Sequence, residues 1–379
     1  MIKETLVKIR NIISRGVYKG LVKPILFKFD PEKVHDAFLK IGHFLGTNLF
    51  TKSLTAIFFS YRNASLEQKI LGMKFRNPIG LAAGFDKDGV MTNILPHTGF
   101  GFGEIGSITG EKCEGNPRPR LWRLKKSKGL VVYYGLKNEG CAQIAARLKN
   151  EKFHVPIGVS VAKTNSKNTV KKEEGIKDYV KAYKTMQGIG DFFVINISCP
   201  NAFGGQPFTK PHDLDVLLSK IGKIKSSNPV FIKLPPDLTH PQIKEILHVA
   251  GSHHIAGFVC TNLTKDRGNK QIKEKILDKG IPKLGGVSGK PIETLSNEQI
   301  KYIYRESQGK YIIIGCGGIS SAEDAYEKIR LGASLVELIT GMIFEGPQLM
   351  SEINRGLAEL LEKDGLKNIK EAIGADNKI

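Results

Sequence analysis

The sequence predicts an α/β fold, a (β/α)8 TIM barrel with an N-terminal helical extension, and three observations carry that expectation. Eight short β-rich runs recur between residues 79 and 339, most followed by a polar turn and a helix-like stretch, the alternation that builds a parallel sheet. The runs are almost continuously apolar, as strands covered on both faces must be. Their C-terminal ends collect glycine, asparagine and lysine, on the side where such a barrel keeps its chemistry. With 379 residues, 41% of them hydrophobic, the chain supplies one barrel and a small appendage. The expected division is a helical segment over 1–65 and a barrel over 66–379.

Taken in order, the N-terminal segment places Ile2, Leu6, Ile9, Ile12 and Ile13 on one side of a helix whose other positions hold Lys3, Lys8, Arg10 and Arg15. A second helix from Pro31 carries Val34, Ala37, Phe38, Ile41 and Phe44 in a similar stripe. Such a segment suits an anionic membrane interface, and equally a helical cap packed on the barrel floor. No run approaches the ~20 apolar residues that span a bilayer, and no secretory signal opens the chain. Five cysteines without a C-x-x-C pair argue against a disulfide framework and for a reducing compartment. No metal site is expected. Lys and Arg number 57 against 37 Asp and Glu, and the resulting +20 draws the protein toward phosphates, anionic lipid or acidic ligands. With no arginine-rich tail, zinc motif or RNA-binding aromatic signature, nucleic acid is not the expected partner.

The eight runs are 79–83, 101–108, 157–161, 192–198, 230–234, 257–261, 311–315 and 335–339, with outer helices expected over 178–187, 213–226, 241–250 and 322–331. Two Gly-, Pro- and Lys-rich inserts, 109–138 and 264–289, read as irregular loops over the barrel mouth. The first run ends Ala83-Gly84-Phe85-Asp86-Lys87, setting a lysine past a small-residue turn; alone, Lys87 reads more plainly as a solvated surface residue. The fourth ends Asn196-Ile197-Ser198-Cys199-Pro200-Asn201, two amides flanking a thiol able to act as base or nucleophile. In the fifth, Lys233 stands inside an apolar strand and must face a polar site or carry a desolvation cost of several kcal/mol. The sixth ends Cys260-Thr261-Asn262, a third amide at the mouth. The seventh and eighth end in Gly317-Gly318 and Thr340-Gly341, loops whose backbone N–H groups suit a phosphate, although glycines there also simply turn the chain.

In this order the residues resemble the dihydroorotate dehydrogenases, and specifically their membrane-associated, quinone-reducing class. The likeness covers nearly the whole chain. Its most specific pieces are Phe29-Asp30-Pro31-Glu32-Lys33-Val34-His35, the run from Asn77 to Gly89, Pro119-Arg120-Leu121-Trp122-Arg123-Leu124, Asn196 to Asn201, Lys233, Thr261-Asn262, Gly285 to Gly289 and Gly315 to Ile319. The resemblance implies FMN at the barrel mouth, its phosphate on Gly317, Gly318, Thr340 and Gly341 and its ring near Ala83, Gly84, Lys87, Ser107, Asn196, Lys233, Thr261 and Gly289, with Ser160 also facing it. It implies dihydroorotate held by Lys87, Gly135, Leu136, Asn196, Asn201 and Asn262, with Cys199 as the base for the C5 proton. It implies a quinone path between the N-terminal helices that passes His35 and Arg123, and peripheral attachment to the cytoplasmic face of the cell membrane.

Several positions depart from the family pattern. Cys199 stands where the quinone-linked class carries serine and the soluble class cysteine; an unperturbed thiol is mostly protonated at neutral pH, so activity should rise with pH. Val132 replaces an asparagine, Leu263 a threonine, Ser160 an asparagine and Ile339 a tyrosine. These losses keep open a flavin enzyme of the same scaffold that takes another dihydropyrimidine-like ring, or one that uses a soluble acceptor. The sequence leaves the oligomeric state open.

Overall fold

The computed structural model describes residues 2–274 and 284–377, so 275–283 of the second expected insert lie outside the described residues. Four N-terminal helices come first: α1 (Ile2–Val17), which runs through a π-turn into α2 (Lys23–Leu26), then α3 (Pro31–Leu45) and α4 (Leu49–Phe59). Asp30 caps α3, its carboxylate accepting from the Lys33 amide at 2.9 Å ahead of a proline in the first turn. Helix α4 falls within the 1–65 segment expected to be helical but had not been singled out there. Its sequence is apolar on nearly every side, so no stripe announces it.

An antiparallel hairpin, β1 (Gln68–Ile70) with β2 (Met73–Phe75), leads into the barrel. Its eight parallel strands close in the order β3 (Ile79–Leu81), β4 (Phe102–Ile108), β7 (Ile157–Val161), β8 (Phe192–Asn196), β9 (Val230–Leu234), β10 (Gly257–Cys260), β12 (Ile312–Cys316) and β13 (Leu335–Leu338), the last pairing back to β3. The eight expected runs are these eight strands, with ends shifted by at most two residues. Expected outer helices appear as α6 (Lys172–Thr185), α7 (Pro211–Ile221), α8 (His240–Ser252) and α10 (Ala322–Arg330), joined by α5 (Cys141–Leu148), α9 (Glu293–Glu306), α11 (Thr340–Glu345) and α12 (Leu349–Lys363).

The inserts read as irregular are partly regular. Strands β5 (Leu121–Leu124) and β6 (Gly129–Val132) from the first pair with β11 (Gly286–Gly289) from the second in an antiparallel sheet. Two four-residue strands separated by a basic turn carry too short an alternation to be recognised, and their pairing with β11 is nonlocal.

Phenylalanines fill the floor of the barrel. Phe75 from the hairpin meets Phe102 edge-on at 5.6 Å, and Phe192 meets Phe231 at 5.5 Å. Glycines on neighbouring strands make the room: a Cβ at Gly80 would stand 2.3 Å from the Phe102 ring, and one at Gly158 2.3 Å from Phe192. The floor is thus closed by side chains and the β1–β2 hairpin. This excludes the N-terminal helices as a floor cap; they pack instead against α12 and β5, beside the mouth.

Candidate active site

A cavity of about 500 Å³ runs from between α2, α3 and α4 to the C-terminal ends of the barrel strands. At the strand ends it is polar. Asn196, at the end of β8, donates through Nδ2 to Ser107 Oγ at 2.8 Å, and its Oδ1 accepts from Ser198 Oγ at 2.8 Å. Asn262, just past β10, donates to Ser198 Oγ at 2.8 Å. The three expected asparagines do converge: Asn201 also faces the cavity and donates to the Val132 carbonyl at 2.9 Å, leaving its buried Oδ1 without a partner among the described residues. Thr261, Gly135 and Leu136 line the same space. Ser160 does not; it lies behind Ser107, 2.8 Å from its hydroxyl.

Three lysines line the cavity, Lys87, Lys137 and Lys233. Lys87 sits 4.2 Å from the centre of the Tyr134 ring, and burial first, then the neighbouring Lys137, pushes its pKa down to about 8. The plain reading of Lys87 as a solvated surface lysine is therefore wrong, since it is only 9% exposed. Lys233 on β9 is paired inside the barrel, 2.6 Å from Glu337 on β13 and 3.6 Å from Glu104 on β4. Burial opposes its charge, and the two carboxylates outweigh that and raise its pKa. Neither glutamate had been singled out. The signal that marked Lys233, a charge inside an apolar strand, also stands in Phe102-Gly103-Glu104-Ile105 and Leu335-Val336-Glu337-Leu338.

Cys199 faces the cavity from the loop after β8. Burial pushes its thiol up to about 11, against smaller opposing effects of the Asn201 amide and the Lys163 ammonium. A neutral-pH thiolate is therefore a minor species. Val132 and Leu263 line the cavity as apolar residues, as does Tyr134, whose hydroxyl is buried without a partner among the described residues.

The rim between β12 and β13 provides a cradle. Gly317 (φ 128°) and Gly318 (φ 79°) line the cavity, and a Cβ on Gly318 would lie 2.3 Å from Glu293 Cβ. Their amides have no hydrogen-bond acceptor among the described residues. Gly341 and Gly289 are packed as tightly, with Cβ positions 2.0 Å from the Ile319 carbonyl and 2.5 Å from that of Lys128. Thr340 shares a 2.9 Å hydrogen bond with Ser288, and Ala83 and Gly84 complete this part of the lining. Free amides beside glycines that admit a ligand to the backbone fit a phosphate ester, and Lys233 with the amide ring fits the polar edge of a flavin.

The other end of the cavity is apolar, lined by Leu26, Val34, Phe38, Ile41 and Phe59. His35 stands at the junction, its Nε2 2.8 Å from the Phe85 carbonyl, and burial followed by Lys87 lowers its pKa, so the ring is neutral at physiological pH. Arg123 donates to the Phe29 carbonyl at 2.9 Å and lies 4.6 Å from the Phe27 ring. Glu32 fastens α3 to the barrel side. Its carboxylate accepts from Arg120 Nη2 at 2.8 Å and from Arg118 at 2.9 Å, with both Glu32 and Arg120 buried.

The family model described as dihydroorotate dehydrogenase matches residues 65–361. A dihydroorotate dehydrogenase (quinone) of Nostoc punctiforme is 38% identical over 375 residues, covering 96% of this chain and 99% of the relative. One of Crocosphaera subtropica is 40% identical over 364 residues, covering 92% and 95%. Among solved structures, the Eimeria tenella enzyme in complex with ferulenol superposes with a TM-score of 0.79 at 27% identity, over 92% of this chain and 96% of that one. With the closed barrel, the cradle at its rim and these matches across nearly the whole length, the chain belongs to the dihydroorotate dehydrogenase family, in its quinone-dependent class.

Proposed function

We infer that this chain oxidises dihydroorotate to orotate with FMN as cofactor and passes the electrons to a quinone, a step of pyrimidine biosynthesis. The observation that carries the reading is the two-ended cavity: amides, hydroxyls and ammonium groups at the strand ends, hydrocarbon between the helices. Gly317, Gly318 and Gly341 would hold the phosphate by backbone N–H groups; Lys233, Asn196 and Thr261 would meet the ring. Bound FMN supplies the acceptor for the hydride that leaves C6 of dihydroorotate.

Lys87 holds the substrate carboxylate as a cation, and Asn196, Asn201 and Asn262 present amides to the ring edge. Cys199 in its thiolate form takes the C5 proton. Leu263 and Val132 leave one side of the substrate without polar partners, which favours as a second reading a less polar dihydropyrimidine. The quinone enters between α2, α3 and α4 past His35. Attachment to an anionic bilayer draws on apolar side chains left in solvent, among them Leu6 and Ile13 on α1 and Leu49, Phe50 and Ile57 on α4. No helix among the described residues is long and apolar enough to cross a membrane.

Anaerobic titration tests this reading. Dihydroorotate should bleach the yellow absorbance and a short-chain quinone should restore it. Unchanged absorbance with dihydroorotate favours the second reading; a colourless protein that refuses added FMN overturns both.

A further inference from the structure

Glu104, Lys233 and Glu337 occupy the barrel axis between the phenylalanine floor and the cavity. Glu104 is 1% exposed, Glu337 0% and Lys233 4%. One ammonium thus faces two carboxylates, and three of the four carboxylate oxygens, both of Glu104 and Oε2 of Glu337, have no hydrogen-bond partner among the described residues. Lys233 satisfies only Glu337 at short range. Below them Phe102, Phe192 and Phe231 exclude water. A second uncompensated charge in such a compartment is expensive, and buried carboxylates that repel each other resolve the conflict by holding one proton in common.

We propose that Glu104 and Glu337 share one proton beneath Lys233, keeping the cluster neutral at physiological pH and making it a charge buffer for the flavin end of the cavity. Burial first, and then the charge of Glu337, push the Glu104 carboxyl well above the ordinary carboxylate range, in keeping with a proton held there. The other titratable group facing the cluster is the thiol of Cys316 on β12, raised by burial and so neutral; the Cys260 thiol on β10, also raised by burial, and the Lys328 ammonium lie on the outer side of the strands. From the remaining barrel strands the nearby polar groups, Ser160 on β7 and Asn196 on β8, are uncharged.

The arrangement is redundant. Removing either carboxylate leaves one to ionise against Lys233, so the net charge stays at zero; removing both leaves Lys233 unbalanced. Wild type alone can lose the shared proton as pH rises, becoming net negative.

The inference rests on the FMN reading in its electrochemical part, so two measurements separate the failures. In the flavin-free protein, infrared spectra at neutral pH should contain a protonated-carboxyl band that is absent from E104Q and from E337Q and fades from wild type in mildly alkaline solution. In the flavin-loaded protein, the midpoint potential of wild type should fall more steeply with pH above that transition than in either single variant, with all three equal at neutral pH. E104Q/E337Q should favour the reduced flavin at least tenfold, about 30 mV for a two-electron couple. A missing band in wild type overturns the shared proton even if no variant folds. Single variants that keep the alkaline break, or that shift the neutral-pH potential as far as the double, overturn it too.

Discussion

Replacing Glu32 with glutamine should separate the two halves of the reaction. The carboxylate joins α3 to the barrel through Arg120, 2.8 and 3.1 Å away, and Arg118 at 2.9 Å. Arg118 is largely in solvent and contributes little. Arg120 is 4% exposed, so Glu32→Gln strands a buried guanidinium, a change that costs about 3 to 5 kcal/mol. For a chain of this size that lowers the melting temperature by roughly 4 to 6 °C if α3 unfolds with the barrel. Burial works against ionisation of Glu32, yet the arginines outweigh it and hold its pKa below the ordinary value. The stabilisation is therefore full above the unfolded-state carboxylate pKa and is lost as pH falls through the folded one, so the two proteins should converge in acid. Stopped-flow absorbance at neutral pH should find bleaching by dihydroorotate close to wild type and reoxidation by quinone slowed. A variant that melts with wild type, or one in which both half-reactions fail together, refutes the assignment of α3 as the quinone-side element.

The remaining expectations concern the polar end and the surface. Cys199→Ala should slow flavin reduction by about 10² to 10⁴ while leaving orotate binding intact, as single-turnover absorbance and spectral titration will tell. Because Lys87 must be protonated, with a pKa near 8, and Cys199 deprotonated, with a pKa near 11, kcat/KM should climb until about pH 8 and then stay level to about pH 11. Only roughly one free enzyme in a thousand then carries the active pair, and a profile that falls above neutrality would contradict the pairing. Val132→Asn should tighten orotate several-fold by adding about 1 kcal/mol of hydrogen bonding; weaker binding in the spectral titration favours a less polar natural ring. Leu49→Glu with Phe50→Glu, both more than three-quarters exposed, should release the protein from anionic vesicles in a flotation assay without altering the melting temperature.

Barrel strands were legible because each carries its own signal: an apolar run long enough to be buried on both faces, with a glycine or amide close behind it in most of them. Lys233 was legible for the complementary reason, a charge where none belongs. The same argument applied to Glu104 and Glu337 would have exposed the cluster, but each taken singly reads as one acidic residue in a strand, and only closure of the barrel brings β4, β9 and β13 to a common axis. Helix α4 lacked a polar face against which to see an apolar one. The β5–β6–β11 sheet depends on pairing between segments more than 150 residues apart, which no local pattern encodes. For Cys199 the residue type gave the chemistry but not the direction of its titration, which is set by how deeply the neighbouring loops bury it.

The glycine and phenylalanine stopper at the base of the cylinder has a consequence for traffic. A vessel sealed at one end admits water-soluble ring and lipid-soluble oxidant only over the same lip, under the three-stranded flap on one side and between the helices on the other. Donor and acceptor then need never occupy a common channel, and each can take its turn with the same pair of electrons.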